Sequence, residues 1–327
     1  MSVPADRSAL ERLHELPRLP LAFAPTPIDD LARLRDALGC RARLLVKRDD
    51  AIPFGFGGNK IRKLQLVAAR ALAEGADTLI TTGGIQSNHA RATASVAARM
   101  GLACVLVANG TPPVRPTANA LLDRLLGAEV RYVGSRDARA PAMAAAAEEL
   151  RSRGRRPFVI PLGASTPLGA AAYAMAVTEL LTQGTAPDAI ILSTSSGGTQ
   201  AGIIAGCRLH GLSTRIVGIS ADDPSAAIAK GVQRILLGME ELLGCAPGTL
   251  AEATIEVDDG FVGEGYGIAT PESTKAIELC ARCEAVFLDP TYTGKAMAGL
   301  IGRVRAGEFA AGTLMFWHTG GQVGLFA

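Results

Sequence analysis

What most constrains this chain is an alternation running through it, in which short aliphatic or β-branched runs are followed by longer stretches rich in Ala and Leu. The runs are Arg43–Lys47 (RLLVK), Asp77–Thr81 (DTLIT), Cys104–Ala108 (CVLVA), Glu129–Val133 (EVRYV), Phe158–Ile160 (FVI), Ala189–Ser193 (AIILS), Arg215–Ser220 (RIVGIS) and Thr313–His318 (TLMFWH). Strand-sized runs alternating with helix-sized ones predict repeated strand-helix units, hence an α/β fold with parallel sheets. Helical periodicity is read over Arg62–Leu72, Ala90–Met100, Ala140–Arg151, Leu168–Leu181 and Glu272–Ala281, with Gly101, Gly154 and Gly184 close behind as stop signals. No Gly/Ser linker or fixed repeat period interrupts the pattern.

Composition narrows the function classes. At 327 residues the chain is long enough for two domains. A net charge of +2 with 20% charged residues gives no field that would draw in nucleic acid or an anionic membrane. An aromatic content of only 4% argues against a stacking platform for single strands. The cysteines, Cys40, Cys104, Cys207, Cys245, Cys280 and Cys283, are too spread out for a disulfide framework, so a reducing compartment is expected. The first residues lack the continuous apolar segment of a secretory signal, and no apolar run is long enough for a membrane helix. These readings predict a soluble cytoplasmic protein that binds a small molecule.

In open α/β sheets ligands bind beyond the carboxyl ends of the strands, so the turns after the strands are the places to search. After RLLVK comes a loop with Gly57 and Gly58, then Lys60 at the start of a helix and Lys63 one turn on along the same face. Desolvation and a cationic neighbour would lower the pKa of Lys60 toward that of a usable amine or Schiff base. The alternative is a pair of solvated first-turn lysines. After DTLIT, Ser87 and Asn88 precede a helix, where they can cap it or, with its exposed amides, receive a carboxylate or phosphate. His89 follows; none of His14, His89, His210 and His318 has metal-ligand spacing, and on spacing alone each is read as structural.

After AIILS, the run from Ser193 to Gly202 gathers hydroxyl and glycine residues at a helix start, including Ser196, Gly197, Gly198 and Thr199. Amides and hydroxyls converging where the helix dipole is positive make a phosphate cradle. The run lacks both the Gly-Lys-Ser/Thr ending of a nucleoside-triphosphate loop and a dinucleotide fingerprint, so it suits a small phosphate; a plain tight turn is the alternative. Near the C-terminus, Tyr266 lies in a glycine-rich loop, Tyr292 follows Asp289-Pro290-Thr291, and Thr319 precedes Gly320 and Gly321. Two of the chain's four tyrosines in such loops point to phenols presented to a site, although each could equally anchor its loop. Cys280-x-x-Cys283 has no second pair and is read as structural.

The stretches GGNKIRKL, IQSNHARATA, GTQAG, GYG and DPTYTGKAMAGL with HTGG, in that order, resemble the D-cysteine desulfhydrase and 1-aminocyclopropane-1-carboxylate deaminase family, within the tryptophan synthase β-like, fold type II superfamily of pyridoxal 5'-phosphate enzymes. The resemblance covers nearly the whole chain. It implies two open parallel-sheet domains: a large cofactor-binding one from 1–61 and 165–327, and a smaller inserted one over 62–164. It also implies a homodimer. Lys60 would be the cofactor lysine, Lys63 a phosphate contact, and Ser196, Gly197, Gly198 and Thr199 the phosphate loop. Asn88 would approach the cofactor's ring hydroxyl, Ser87 the substrate carboxylate, and Thr319 the cofactor. Tyr266, Tyr292, His89 and Asn88 would line the substrate side.

Deaminases of this family typically carry Glu after the second tyrosine and Leu in the last H-x-G-G, whereas this chain has Thr293 and Thr319, the desulfhydrase pattern. Phe54 and Phe56, and Ala92 where relatives usually carry Gln, are departures. The activity implied is β-elimination from a small amino acid, D-cysteine going to pyruvate, sulfide and ammonia, with Lys60 or Tyr292 removing the α-proton. Ring-opening deamination of 1-aminocyclopropane-1-carboxylate and loss of sulfite from L-cysteate, or of another β-substituent from alanine, are the alternatives within the family. A nucleotide-dependent oxidoreductase, or a non-catalytic sensor of the cofactor or an amino acid, are those outside it.

Overall fold

A computed structural model of the chain describes residues 5–22 and 24–327. Its strands are β1 (Ile28–Asp30), β2 (Arg43–Arg48), β3 (Thr78–Gly84), β4 (Ala103–Asn109), β5 (Glu129–Val133), β6 (Pro157–Val159), β7 (Ala189–Thr194), β8 (Arg215–Ser220), β9 (Glu256–Asp258) and β10 (Thr313–His318). They form a six-stranded sheet in the order β1-β2-β10-β7-β8-β9 and a four-stranded sheet in the order β5-β4-β3-β6. Helices alternate with them: α1 (Arg7–Glu15), α2 (Ala32–Ala37), α3 (Asn59–Ala73), α4 (Asn88–Met100), α5 (Ala118–Leu125), α6 (Arg139–Ser152), α7 (Pro167–Thr182), α8 (Gly198–Leu209), α9 (Ser225–Leu243), α10 (Pro271–Glu284) and α11 (Thr293–Arg305).

The central strands are apolar without alternation because both faces are covered. Every residue of β7 is buried, as are Leu44 to Lys47 of β2 and Leu314 to His318 of β10. Helices α7, α8 and α9 pack on one face through Ala170, Ala174, Ile203 and Leu236; Ala276, Met297 and Leu300 of α10 and α11 cover the other. Close helix approach needs glycine: a Cβ on Gly202 would lie 2.1 Å from the Ala170 carbonyl oxygen, and one on Gly238 would lie 2.4 Å from Cγ of Pro167.

The pairing is parallel except at one edge, where β1 runs antiparallel to β2. That strand and β9 at the opposite edge are absent from the apolar runs because charge holds them: Arg43 pairs with Asp30 at 3.0 Å, Arg48 with Asp29 at 2.8 Å, and Arg215 with Glu256 at 2.8 Å. Helix α9 lies outside the predicted helical segments, although Ile228, Val232, Ile235, Leu236 and Met239 bury one stripe of it. The expected helix stops hold, with Gly101, Gly154 and Gly184 all at positive φ. Among the described residues no helix is long and apolar enough to cross a membrane.

Candidate active site

The carboxyl ends of β3, β7, β8 and β10 open on one cleft, of about 810 Å³ when the open solvent at its mouth is included. Every residue singled out from the sequence for this role lines it: Lys60, Lys63, Ser87, Asn88, His89, Ser196, Gly197, Gly198, Thr199, Tyr266, Tyr292 and Thr319. Phe54, Phe56, Ala92 and Thr293 do not. Phe54 packs on the smaller sheet's core, Ala92 is within that core, and Phe56 faces solvent. The Thr293 hydroxyl is spent on Asp289, 2.7 Å away, at the start of α11.

Lys60 and Lys63 lie in the first turn of α3, which begins after Gly58 at φ 93°. A side chain on Gly58 would press on the Thr319 carbonyl, which accepts the amide of Asn59 at 2.9 Å and ties α3 to the end of β10. Burial, then the Arg91 guanidinium, pulls the Lys60 amine down to about 8. Lys63 is pushed well below its ordinary value by burial and by Lys60; its Nζ donates to the Gly163 carbonyl at 3.2 Å and to Ser165 Oγ at 3.3 Å, with no carboxylate in reach.

Facing it is the start of α8, with Gly197 in the left-handed region at φ 78°. A Cβ on Gly198 would lie 2.8 Å from Lys63 Nζ and 2.6 Å from Ser165 Oγ, so only glycine leaves room for a ligand to reach the helix amides and that ammonium together. Ser165 Oγ and Ser196 Oγ meet at 2.7 Å, and Asn59 Nδ2 donates to Thr199 Oγ1 at 2.9 Å, joining the first turns of α3 and α8. Among the described residues, the hydroxyls of Ser193 and Thr194 are buried without a partner. A buried cation, a positive helix end and unused donors together call for an anion, and the neighbouring low-pKa amine calls for a carbonyl. A phosphorylated aldehyde meets both demands.

Ser87 caps α4, its Oγ accepting the Ala90 amide at 3.2 Å, which leaves the hydroxyl proton free to donate into the cleft. The capping role and the binding role are therefore compatible. Asn88 Oδ1 accepts from Asn119 Nδ2 at 2.8 Å, and Asn119 Oδ1 accepts from Arg91 Nε at 3.1 Å. This relay fixes the amide of Asn88 with its NH₂ group as the free end, a donor suited to an anionic oxygen. His89 is buried and held neutral by burial and by the two lysines; Nε2 bonds Thr81 at 2.8 Å and Nδ1 is without a partner. Of the other histidines, His318 bonds the Phe287 carbonyl at 3.0 Å and His210 bonds Thr178 at 2.8 Å, in structural roles.

Tyr266 and Tyr292 share a hydroxyl contact of 2.6 Å with their rings edge to face. Burial raises both phenols above their ordinary value, so at neutral pH they are donors rather than bases. The Tyr266 loop is held by Lys295, whose Nζ donates to the carbonyls of Ala221, Val262 and Gly265 at 2.8–3.1 Å.

The support beneath α3 carries no local sequence signal. Asp49 is fully buried and accepts from Arg62 Nε at 2.9 Å, Trp317 Nε1 at 2.8 Å and the Tyr173 hydroxyl at 2.6 Å. Arg62 also reaches Glu179 at 2.8 Å, and Lys47 reaches the same carboxylate at 2.6 Å. The KRDD stretch was in view, but nothing local marks Asp49 as the hub of contacts from β10 and α7.

Comparison with known proteins identifies the fold and the family. Two D-cysteine desulfhydrases of Klebsiella pneumoniae, from strain 342 and from strain ATCC 700721 / MGH 78578, are each 37% identical over 98% of this chain and 98% of their own. A crystal structure described as the ACC deaminase homologue superposes with a TM-score of 0.90 at 35% identity, covering 98% of this chain and 96% of that one. The processed form of threonine deaminase isoform 2 from Solanum lycopersicum shares the fold at 18% identity, with a TM-score of 0.70 over 98% of this chain and 87% of its own. A sequence family described as "Pyridoxal-phosphate dependent enzyme" matches residues 19–320, and the chain belongs to that family.

Proposed function

We propose that the chain is a β-eliminating lyase for a small amino acid, with D-cysteine converted to pyruvate, sulfide and ammonia. The observation that carries the reading is Lys60 facing the cleft with no ion pair among the described residues, beside a buried anion cradle built by Lys63 and the start of α8. Its similarity to the two desulfhydrases supports the choice of substrate.

In this reading Lys60 holds the cofactor covalently, and Lys63 with Ser196, Gly197, Gly198 and Thr199 binds its phosphate. Asn88 would donate to its ring oxygen, and Thr319 would contact it from the end of β10. When bound, pyridoxal phosphate supplies an electron sink for the pair left on Cα. Ser87 and the amides of α4 orient the substrate carboxylate, and His89 packs beside it as a neutral ring. Freed when the substrate's amine replaces it, Lys60 would take the α-proton, because its free amine is the group near working pH and both phenols stay protonated there. The Cα–H bond breaks, the Cβ–S bond breaks with its electron pair leaving on sulfur, and the released enamine takes up water to give pyruvate and ammonia. One phenol of the Tyr266–Tyr292 pair donates to the other, which leaves the second one's proton to be donated to the departing sulfur.

Residues 1–61 with 165–327, and 62–164, form the two domains in this reading; the limit at 62 falls in the first turn of α3. A homodimer is supported by exposed apolar side chains such as Phe56 and Leu125, which border one shallow hollow. A reducing, cytoplasmic setting is supported by six free cysteines. The test is keto-acid release by purified protein from D-cysteine, L-cysteine, L-cysteate and 1-aminocyclopropane-1-carboxylate. Pyruvate and sulfide from D-cysteine are expected, 2-oxobutyrate from the cyclopropane would point to deamination, and no keto acid from any would reject the reading.

A further inference from the structure

The two sides of the cleft are built by different means. The side of Lys60 and Lys63 rests on the first turns of α3 and α8, whereas the other is made of chain segments between elements: Asp222 after β8, Tyr266 before α10, and Tyr292 at the start of α11. Tyr266 stands between Gly265 at φ 140° and Gly267 at φ 80°, in a stretch with neither helix nor strand, so little in its own backbone fixes where the phenol goes. The Tyr266 and Tyr292 hydroxyls nevertheless meet at 2.6 Å.

Lys295 joins these segments. It lies one turn after Tyr292 on α11, is fully buried, and has no carboxylate paired with it among the described residues; Asp222 and Asp289 act on its charge from further off. Its ammonium donates only to backbone carbonyls of two other segments: that of Ala221, directly before Asp222, at 3.1 Å, and those of Val262 and of Gly265, directly before Tyr266, at 2.8 Å each. A buried ammonium is costly unless its donors are met, and bonds from an ion are stronger than neutral ones, so this cation is a cross-link between main chains. Asp222 in turn holds Arg136, from the loop between β5 and α6, at 3.1 Å. One ammonium thus secures the backbone beside Asp222 and Tyr266 from the same helical turn that carries Tyr292.

We propose that Lys295 is a positioning residue for the tyrosine pair: its ammonium sets the distance between the two phenols, and hence the donor that meets the departing sulfur. This rests on the β-elimination reading. There the α-proton goes to Lys60, the Cβ–S bond breaks with its electron pair leaving on sulfur, and one phenol donates to that sulfur. Chloride departs as a stable anion that needs no such donor. Loss of the Lys295 ammonium should therefore act on a thiol substrate and spare both cofactor binding and chloride loss.

The experiment measures kcat/KM of the cofactor-loaded enzyme for D-cysteine and D-β-chloroalanine in wild type, Lys295→Met, Tyr292→Phe and the double variant, with pyridoxal phosphate affinity read from the visible band. Lys295→Met should keep that affinity within about twofold, and its cysteine-to-chloroalanine ratio should fall at least about tenfold, chiefly through kcat. The double variant should lose no more of the ratio than Tyr292→Phe alone, since a residue acting through another adds nothing once that other is gone. Additive losses, or an unchanged ratio in Lys295→Met, overturn the inference and leave the elimination reading standing. Cofactor affinity falling in step with turnover shows that Lys295 serves the fold, and overturns it as well. Wild type that releases pyruvate from neither substrate overturns both. Where Lys295→Met does not fold, Lys295→Arg carries the same test, because it keeps the cation but alters its reach to the three carbonyls: a ratio between those of wild type and Tyr292→Phe, with the cofactor retained, is expected, and an unchanged ratio overturns the inference.

Discussion

Three basic residues stand within one turn of α3 and meet opposite fates. Arg62 faces the sheet and is saturated by Asp49, Glu179 and Thr26. Burial works against its charge, but the two carboxylates outweigh that and raise its pKa, while Arg62 and Lys47 hold Glu179 down at about 2 against its own burial. Lys60 and Lys63 face the cleft, where no carboxylate answers them, and burial lowers both. Charge that is complete within the protein acts as a clamp; charge left incomplete marks where a ligand must finish the circuit.

Substitutions on the two sides should therefore fail in different ways. Lys60→Ala should reduce keto-acid release by at least about a thousandfold while leaving the thermal midpoint near that of wild type; retained turnover would break the comparison. Asp49→Ala, on the saturated side, leaves Arg62, Trp317 and Tyr173 without their acceptor. It should destabilise the fold by about 3–5 kcal/mol in urea titrations, and a loss under about 1 kcal/mol would show the clamp to be dispensable. Lys63→Met should do the reverse in cofactor-free protein, stabilising it by about 1 kcal/mol or leaving it unchanged, while weakening pyridoxal phosphate binding at least tenfold.

The comparison also predicts a pH dependence. Between about 8 and the ordinary lysine value the unfolded chain holds a proton that folded Lys60 has lost. Stability of cofactor-free protein should thus rise with pH across that window, by at most about 1.4 kcal/mol per pH unit for this group. Lys63 adds in the same direction, and Lys60→Met should flatten the slope. A slope of opposite sign would mean that the amine is paired. The smallest effect expected is that of Asn119→Ala, which frees the Asn88 amide to flip: cofactor affinity should fall two- to tenfold with a displaced visible absorbance band.

Much of this was legible in the sequence because the residues involved act locally. Runs such as AIILS and RIVGIS are aliphatic through their middles, and their length and β-branched content suit a covered strand. Gly57-Gly58 before Lys60, and the hydroxyl-glycine run before α8, mark helix starts that must admit a ligand. Asp49 and Asn119 were not legible, because their roles come from partners far along the chain. The edge strands β1 and β9 escaped for a related reason, being held by arginine-carboxylate pairs instead of apolar side chains.

The central claim is that Lys60, and not the lysine one turn further on, carries the cofactor. Reducing the purified, cofactor-loaded protein with borohydride and mapping its peptides by mass tests this most directly. A pyridoxyl phosphate group on Lys60 alone is the predicted result; the label on Lys63 or Lys295, or no label in protein that absorbs in the visible, would contradict it.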